Sequence, residues 1–119
     1  MEREAAEKIV SLINGSRLSS IQFVLDYLIF GFDERGALTS LVWPTLLIEN
    51  AVVMHGDEGY YDKICKLIGN SITESRVLND LVICIDFKNK AQIQIDLSKY
   101  SLSGERAIFS GPKNLLIVI

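Results

Sequence analysis

The sequence predicts one α+β domain that spans residues 1–119. In this fold, two helix–β-hairpin units form a mainly antiparallel sheet with helices packed against it, and one more strand follows at the C-terminus. Three observations predict it: a helical apolar period near the start, its return 55 residues later, and alternating apolar residues after each copy. The copies read EKIVSLINGS at 7–16 and DKICKLIGNS at 62–71, so we expect an internal repeat.

The first helix is predicted from apolar residues at helical spacing. Ala5, Ile9, Leu12 and Ile13 would share one face. Acidic residues come at its start, where the positive end of the helix dipole favours negative charge. Gly15 follows its end, where glycine tolerates the left-handed turn that closes a helix.

The second helix is predicted from the same arrangement. Asp57 and Glu58 precede it, and Gly69-Asn70 ends it. The residues expected to form its apolar stripe are Tyr60, Tyr61, Ile64, Cys65 and Ile68.

The hairpin after the second helix can be placed in register. Residues 81–87 and 91–97 alternate between apolar and polar, which is typical of strands with one buried face. A three-residue loop at 88–90 sets Phe87 opposite Ala91 and Ile85 opposite Ile93. We predict this loop, because a two-residue loop would split the apolar rows.

The strand after the first helix is predicted over residues 21–32. It is apolar on both faces, which indicates a strand covered on both sides. Asp26 interrupts it, either as a carboxylate hydrogen-bonded at a strand end or bulge, or as part of a recessed polar site. The C-terminal NLLIVI is a further strand that either lies against the interior of the sheet or pairs with another copy.

Composition and charge limit the classes of partner. The net charge of −3 and the pI of about 5.1 argue against a nucleic-acid binder, which needs a basic face. No apolar run approaches the roughly 18 residues of a membrane span, and the first residues lack the pattern of a signal peptide. We expect a cytoplasmic protein in which Cys65 and Cys84 are reduced thiols, with a disulfide as the alternative.

The sequence shows no catalytic set. His55 is the only histidine, so any pairing of a nucleophile with a histidine would have to use it. Cys65 lies on the predicted apolar stripe, where packing explains it. His55, Asp57 and Glu58 fall in one loop, but their spacing matches no recognised metal motif. We predict no catalytic residue, no metal site and no cofactor.

Five residues are candidates for contact with a partner protein. Asp33-Glu34 and Asp57-Glu58 are acidic pairs that either point into water or form an acidic rim for a basic partner. Trp43 is the only tryptophan, and it either fills the core or anchors a contact.

The segments FVLDYLIFGFD, LTSLVWP, GYYDKICKLIG and GERAIFSG resemble a family of small uncharacterised bacterial proteins. The family pattern has F-V-x-D-Y, a later F-D, L-T leading to W-P or P, a G-Y-x-D helix that ends in L-I-G, and a final G-P-E-A-x-F. The matching residues are Phe23, Val24, Asp26, Tyr27, Phe32, Asp33, Leu38, Thr39, Trp43, Pro44, Gly59, Tyr60, Asp62, Leu67, Ile68, Gly69, Gly104, Glu105, Ala107 and Phe109. The resemblance covers roughly residues 18–110 and departs at GERA, which lacks the proline, and at Glu34, where a turn glycine is common.

The resemblance implies no known catalysis. Proteins of this kind are similar in size, acidity and lack of catalytic residues to immunity proteins that neutralise bacterial toxins. Our first hypothesis is a non-catalytic protein-binding module, an immunity-type inhibitor of a contact-dependent or polymorphic toxin with a basic toxin domain. The alternatives are a small-ligand-binding or enzymatic domain with a pocket near Asp26, Tyr27 and Cys65, and a structural homodimer joined through the C-terminal strand.

Overall fold

Two five-stranded antiparallel sheets and two α-helices make up the computed structural model, which describes residues 2–99 and 104–119. The helices are α1 (Glu2–Ile13) and α2 (Tyr60–Cys65). The strands are β1 (Leu18–Val24), β2 (Tyr27–Phe32), β3 (Gly36–Ser40), β4 (Thr45–Ile48), β5 (Ala51–Val53), β6 (Ile72–Leu78), β7 (Val82–Phe87), β8 (Gln92–Asp96), β9 (Ala107–Ser110) and β10 (Leu116–Val118). Sheet 1 has the order β1-β2-β3-β9-β10, and sheet 2 has the order β5-β4-β8-β7-β6.

The α+β class is confirmed, but the predicted single sheet of hairpins is wrong. Two sheets are present in the described chain, and a three-stranded meander follows each helix. The predicted strand at 21–32 is broken into β1 and β2 by a turn at Leu25 and Asp26. Because the turn pairs Phe23 with Leu28, odd-numbered residues face the core before the turn and even-numbered residues face it after the turn. This change makes the run look apolar on both faces.

The sequence repeat is confirmed as a structural repeat. β2 and β7 begin and end 55 residues apart, and each is the central strand of a meander that follows a helix. The first strand of each meander has a register shift at its start, between Leu18 and Ser20 in β1 and between Ile72 and Glu74 in β6. Bulges fix the register of the strands that carry them, so the two meanders share one pairing geometry.

The two repeats meet at an isolated antiparallel bridge between Arg17 and Ser71. The hydrogen bonds across this bridge form an equivalent pair. The Leu18 N–H donates to the Asn70 carbonyl at 3.0 Å, and the Ile72 N–H donates to the Ser16 carbonyl at 2.7 Å. The bridge therefore lies on an approximate twofold axis that relates the repeats.

Each sheet contains strands from both repeats. The β4–β5 hairpin follows the first meander but pairs with β8 of the second, whereas the β9–β10 hairpin pairs back with β3 of the first. Leu46 and Phe109 occupy equivalent positions on these exchanged hairpins, and both are fully buried. Gly36 permits the close approach of β9, because its φ is +125° and a Cβ there would lie 2.2 Å from the Ser110 carbonyl oxygen.

The predicted register of the β7–β8 hairpin is confirmed. Ile85 pairs with Ile93, and the Phe87 N–H donates to the Ala91 carbonyl at 2.9 Å across a three-residue loop. Lys90 ends this loop with a left-handed φ of +76°, as is common in hairpin loops of this length.

The first helix also ends where the sequence indicates. α1 stops at Ile13, and Gly15 follows with a φ of +80°. Its buried face packs on β6, where the Ser75 hydroxyl donates to the Val10 carbonyl at 2.8 Å. Neither α1 nor α2, the helices of the described residues, is long and apolar enough to cross a membrane.

The second helix departs from the predicted stripe. Tyr60 and Ile64 are buried in the core. Tyr61 and Ile68 are 49% and 40% exposed, so their placement on the buried stripe is wrong. For Ile68 the reason is length, because α2 has six residues and ends at Cys65. For Tyr61 the reason is its position next to the buried Tyr60, since neighbouring residues of a helix point about 100° apart.

The C-terminal strand forms an edge of sheet 1. β10 pairs with β9 of the same chain. Ile117 is buried towards the core, whereas Leu116 and Val118 are 62% and 47% exposed on the opposite face. One side of this strand is therefore tucked in, which was one of the two interpretations, and the other side faces outward.

The exchanged hairpins predict equal sensitivity of the two sheets to truncation. Leu46→Ala and Phe109→Ala should each lower the free energy of unfolding by about 3 kcal/mol, because each leaves a cavity in the shared core. Urea denaturation followed by circular dichroism should show one transition for both. Val52→Ala, on the same hairpin as Leu46 but 63% exposed, should change the free energy of unfolding by less than about 0.5 kcal/mol. Separate transitions for the two sheets would contradict the shared core.

Candidate partner-binding surface

Four ring-bearing residues form a continuous surface beside α2, which we call the aromatic surface: Phe23, Trp43, His55 and Tyr61. The Trp43 and His55 rings are stacked, with centroids 4.0 Å apart and planes inclined by 2°. The His55 Nε2 lies 2.9 Å from the Tyr61 hydroxyl. Tyr61 in turn makes an edge contact with Phe23 at 5.1 Å. Residues from β1, the β3–β4 connection, the segment after β5 and α2 are thereby held together.

Tyr60 supports the aromatic surface from below. It is 1% exposed and makes edge contacts with Trp43 at 6.4 Å and Tyr61 at 5.6 Å. Its hydroxyl donates to the Pro44 carbonyl at 2.5 Å. Burial, and then the charge of Tyr61, raise the pKa of Tyr60 above its ordinary value, so this hydroxyl remains a donor at neutral pH.

The aromatic surface is accessible as well as fixed. Tyr61 is 49% and Phe23 is 37% exposed, while Trp43 is half-buried. Two exposed apolar residues lie next to it in sequence, Met54 before His55 and Leu25 at the β1–β2 turn. Side chains already held by packing lose little conformational freedom on binding, which favours their use as contact anchors.

The loop between β5 and α2 brings acidic residues to this surface. The Asp57 carboxylate accepts from the Met54 N–H at 2.8 Å, and the Asp57 N–H donates to the Met54 carbonyl at 2.9 Å. Gly56 and Gly59 have φ values of +101° and +81°, which allow the loop to turn sharply. Glu58 is exposed between them. Asp57 therefore orders the loop that carries His55, and Glu58 is exposed to any partner.

Three of the five predicted contact residues come together here. Trp43 stacks on His55, and Asp57 and Glu58 follow His55 in the same loop. Trp43 is neither simply core nor fully exposed, so both interpretations of it are partly met.

The other two predicted contact residues lie elsewhere. Asp33 and Glu34 are in the β2–β3 turn, at the opposite end of β2 from the β1–β2 turn, a separation of about 20 Å for a six-residue strand. The Asp33 carboxylate accepts from Arg17 Nε at 2.8 Å. Glu34 has a left-handed φ of +53°, so the turn keeps the conformation for which a glycine is usual.

Sequence reasoning missed Phe23, His55 and Tyr61 as members of one surface. The sequence predicts Phe23 within one strand covered on both sides, and it predicts Tyr61 on the apolar stripe of the second helix. The adjacent Tyr60-Tyr61 pair was an available signal, because neighbouring residues of a helix point about 100° apart and only one can face the core.

The pocket of the alternative hypothesis is not assembled. Asp26 is exposed in the β1–β2 turn. Tyr27 projects from the face of sheet 1 opposite the buried Leu28, whereas Cys65 packs against the core from α2. Tyr27 and Cys65 therefore lie on different sides of sheet 1, and Asp26 lies in the turn at its end.

The two cysteines carry free thiols. Cys65 is half-buried and Cys84 is buried, and burial is the main cause that raises the pKa of the Cys84 thiol. Within the described ranges, no three His, Cys, Asp or Glu side chains are grouped so as to hold a metal ion.

The chain is therefore a small two-sheet α+β protein that presents fixed aromatic side chains beside an acidic loop. We compared the chain with protein-family models, with curated proteins and with solved structures, and found no match in any of the three.

The pKa of Tyr60 predicts a pH dependence of stability. The unfolded tyrosine ionises near pH 10, below the raised pKa of the folded state. The contribution of Tyr60 to the free energy of unfolding is therefore fully present below about pH 10 and is lost as the pH rises above it. Tyr60→Phe should remove this fall, and at pH 7 it should cost about 1–2 kcal/mol because the Pro44 carbonyl loses its donor.

Urea denaturation at pH 7 and pH 10.5 measures both effects. Tyr61→Phe is the matched control, since it keeps Tyr60 and should retain the alkaline loss of stability. A Tyr60→Phe protein that loses as much stability at pH 10.5 as the parent would show that Tyr60 does not carry the effect.

Proposed function

We propose that this chain is a non-catalytic protein-binding module, and most concretely an immunity-type inhibitor that neutralises a contact-dependent or polymorphic bacterial toxin in the cytoplasm. The observation that carries the proposal is the aromatic surface, in which half-exposed rings are locked to one another and to the buried Tyr60. The proposal requires shape and charge from the chain but no chemistry.

The arrangement of exposure favours protein binding. Interface residues that contribute most to affinity are often Trp and Tyr, and they lie near the centre of a contact that excludes water. Trp43 and Tyr61 are of these types and are bridged by His55. The exposed Met54 and Leu25 would extend the contact around them.

The charges favour a basic partner. Asp57 and Glu58 lie in the same loop as His55, Asp26 is exposed in the β1–β2 turn, and the chain has a net charge of −3. Such charges speed encounter with a cationic protein domain and suppress binding to acidic ones. Asp33 and Glu34 would join the contact only if the partner extends along β2.

Growth rescue tests the inhibitor role. Each gene that flanks the one for this chain would be expressed in a bacterial host, alone and together with this protein. We expect one flanking product to stop growth, and co-expression of this chain to restore it. If no flanking product is toxic, or if this chain leaves toxicity unchanged, the inhibitor proposal is wrong.

Matched variants test the surface with the purified toxic domain. Tyr61→Ala should weaken binding at least tenfold, which is about 1.4 kcal/mol, because it removes a central anchor. Ile68→Ala, which truncates an exposed apolar residue just beyond the same helix, should change the affinity less than twofold. Equal effects of the two variants in isothermal titration calorimetry would place the contact away from the aromatic surface.

A further inference from the structure

The outer face of sheet 2, on the side away from the core, carries a polar network. The Arg76 guanidinium donates to Asp86 and, at 3.3 Å, to Glu74. Gln92 Nε2 donates to Asp86 at 2.7 Å, and Gln94 Nε2 donates to Gln92 at 2.5 Å. These contacts join β6, β7 and β8, so this face is covered by charged and amide groups.

The outer face of sheet 1 lacks charge at every described strand position. Its side chains alternate with the buried ones and form two rows across the sheet. The first row contains Ser20, Gly31, Ala37, Ser110 and Leu116, and the second contains Gln22, Ile29, Thr39, Ile108 and Val118. Both helices bury their apolar side chains in the core on the other side.

The repeat allows the two faces to be compared position by position. Gly31 occupies the place of Asp86, and Thr39 occupies the place of Gln94. The register is the same, so the backbone does not explain why one face has charges and the other has none. A free surface of this kind is normally polar, and an uncharged sheet face is typical of an interface.

The two rows differ in height. From β1 to β9 the first row has only small side chains, and the Ser20 hydroxyl lies close over Gly31, where a Cβ would come within 2.2 Å of it. The second row carries longer side chains, among them Ile29 and Ile108. A low row therefore runs beside a high row, about 6.8 Å away for a two-residue step along a strand.

We propose that this face is the interface of a homodimer, with a second copy of this chain as its occupant. A twofold axis parallel to the rows, placed between them, sets the high row of each copy over the low row of the other. Thr39 of one copy then lies over Ala37 of its mate, and Leu116 lies over Val118. The surface is thus complementary to itself, as a twofold interface requires.

Charge also favours a second copy over another partner. Two chains with a net charge of −3 repel each other, and this repulsion is weakest between faces that carry no charged strand residue. A basic partner would gain no ion pair on this face.

The expected affinity is modest. Five strands about 4.8 Å apart, with a mean length of five residues or about 17 Å, give a face of roughly 400 Å² on each copy. The two copies together would bury roughly 800 Å², which is below the roughly 1,200–2,000 Å² of stable interfaces, so we expect a weak dimer with a dissociation constant on the order of 10–100 μM. Phe23 and Tyr61 lie at the side of sheet 1 next to α2, so a dimer of this geometry leaves both aromatic surfaces open.

Sedimentation velocity from 1 to 300 μM, with the whole chain, tests the interface. The parent protein should pass from monomer to dimer over this range. Thr39→Lys should weaken the dimer at least tenfold, because each copy would bury an unpaired charge. Gln94→Lys, the same change at the equivalent position of sheet 2, should leave the dissociation constant within twofold.

A second matched pair keeps the test valid if Thr39→Lys fails to fold. Leu116→Lys should weaken the dimer, whereas Val52→Lys should not, although these equivalent residues are 62% and 63% exposed. A parent protein that is monomeric at 300 μM overturns the proposal. A dimer that survives both sheet 1 variants, as one joined by pairing of the β10 edges would, or one equally weakened by the sheet 2 controls, overturns it as well.

Discussion

The pairing of β9 with β3 and of β4 with β8 is the interaction on which the rest of the structure depends. Each repeat supplies a helix and a three-stranded meander, which has one apolar face and no layer of its own to cover it. The exchanged hairpins widen each sheet to five strands and bind the two halves into one core. Neither half contains all the strands of its own sheet, so we expect them to fold together.

The same exchange creates the aromatic surface. Trp43 lies in the connection by which the chain leaves sheet 1 for sheet 2, and His55 follows the last strand of the exchanged hairpin. The stacking of Trp43 on His55 joins this connection to the segment after the hairpin. The Tyr60 hydroxyl of α2 donates to the Pro44 carbonyl in the same connection, which holds the connection against α2. In the second half the crossing from β8 to β9 includes residues 100–103, outside the described ranges. Trp43 and His55 are the only tryptophan and the only histidine of the sequence, so the second half has no counterpart to their stacking.

Local physics made part of the fold predictable. The β7–β8 register follows from alternation and a single admissible loop length, and the end of α1 follows from Gly15. The exchange could not be predicted, because alternation shows which side chains face a core but not which distant strand lies alongside. The turn at Asp26 was missed for a related reason, since both the odd-numbered and the even-numbered residues of the segment 21–32 are mostly apolar. Of the candidate site, Trp43, Asp57 and Glu58 were named, but their union with Phe23 and Tyr61 depends on contacts distant in sequence.

Native-state hydrogen exchange resolved by residue tests the interlocked fold most directly. If the exchanged hairpins make the two repeats one cooperative unit, the slowest amides of β2 and β3 and those of β7 and β8 should open with the same free energy, equal to that of global unfolding. Protection in one sheet that is lost through a partial opening at clearly lower free energy, while the other sheet stays closed, would contradict this account.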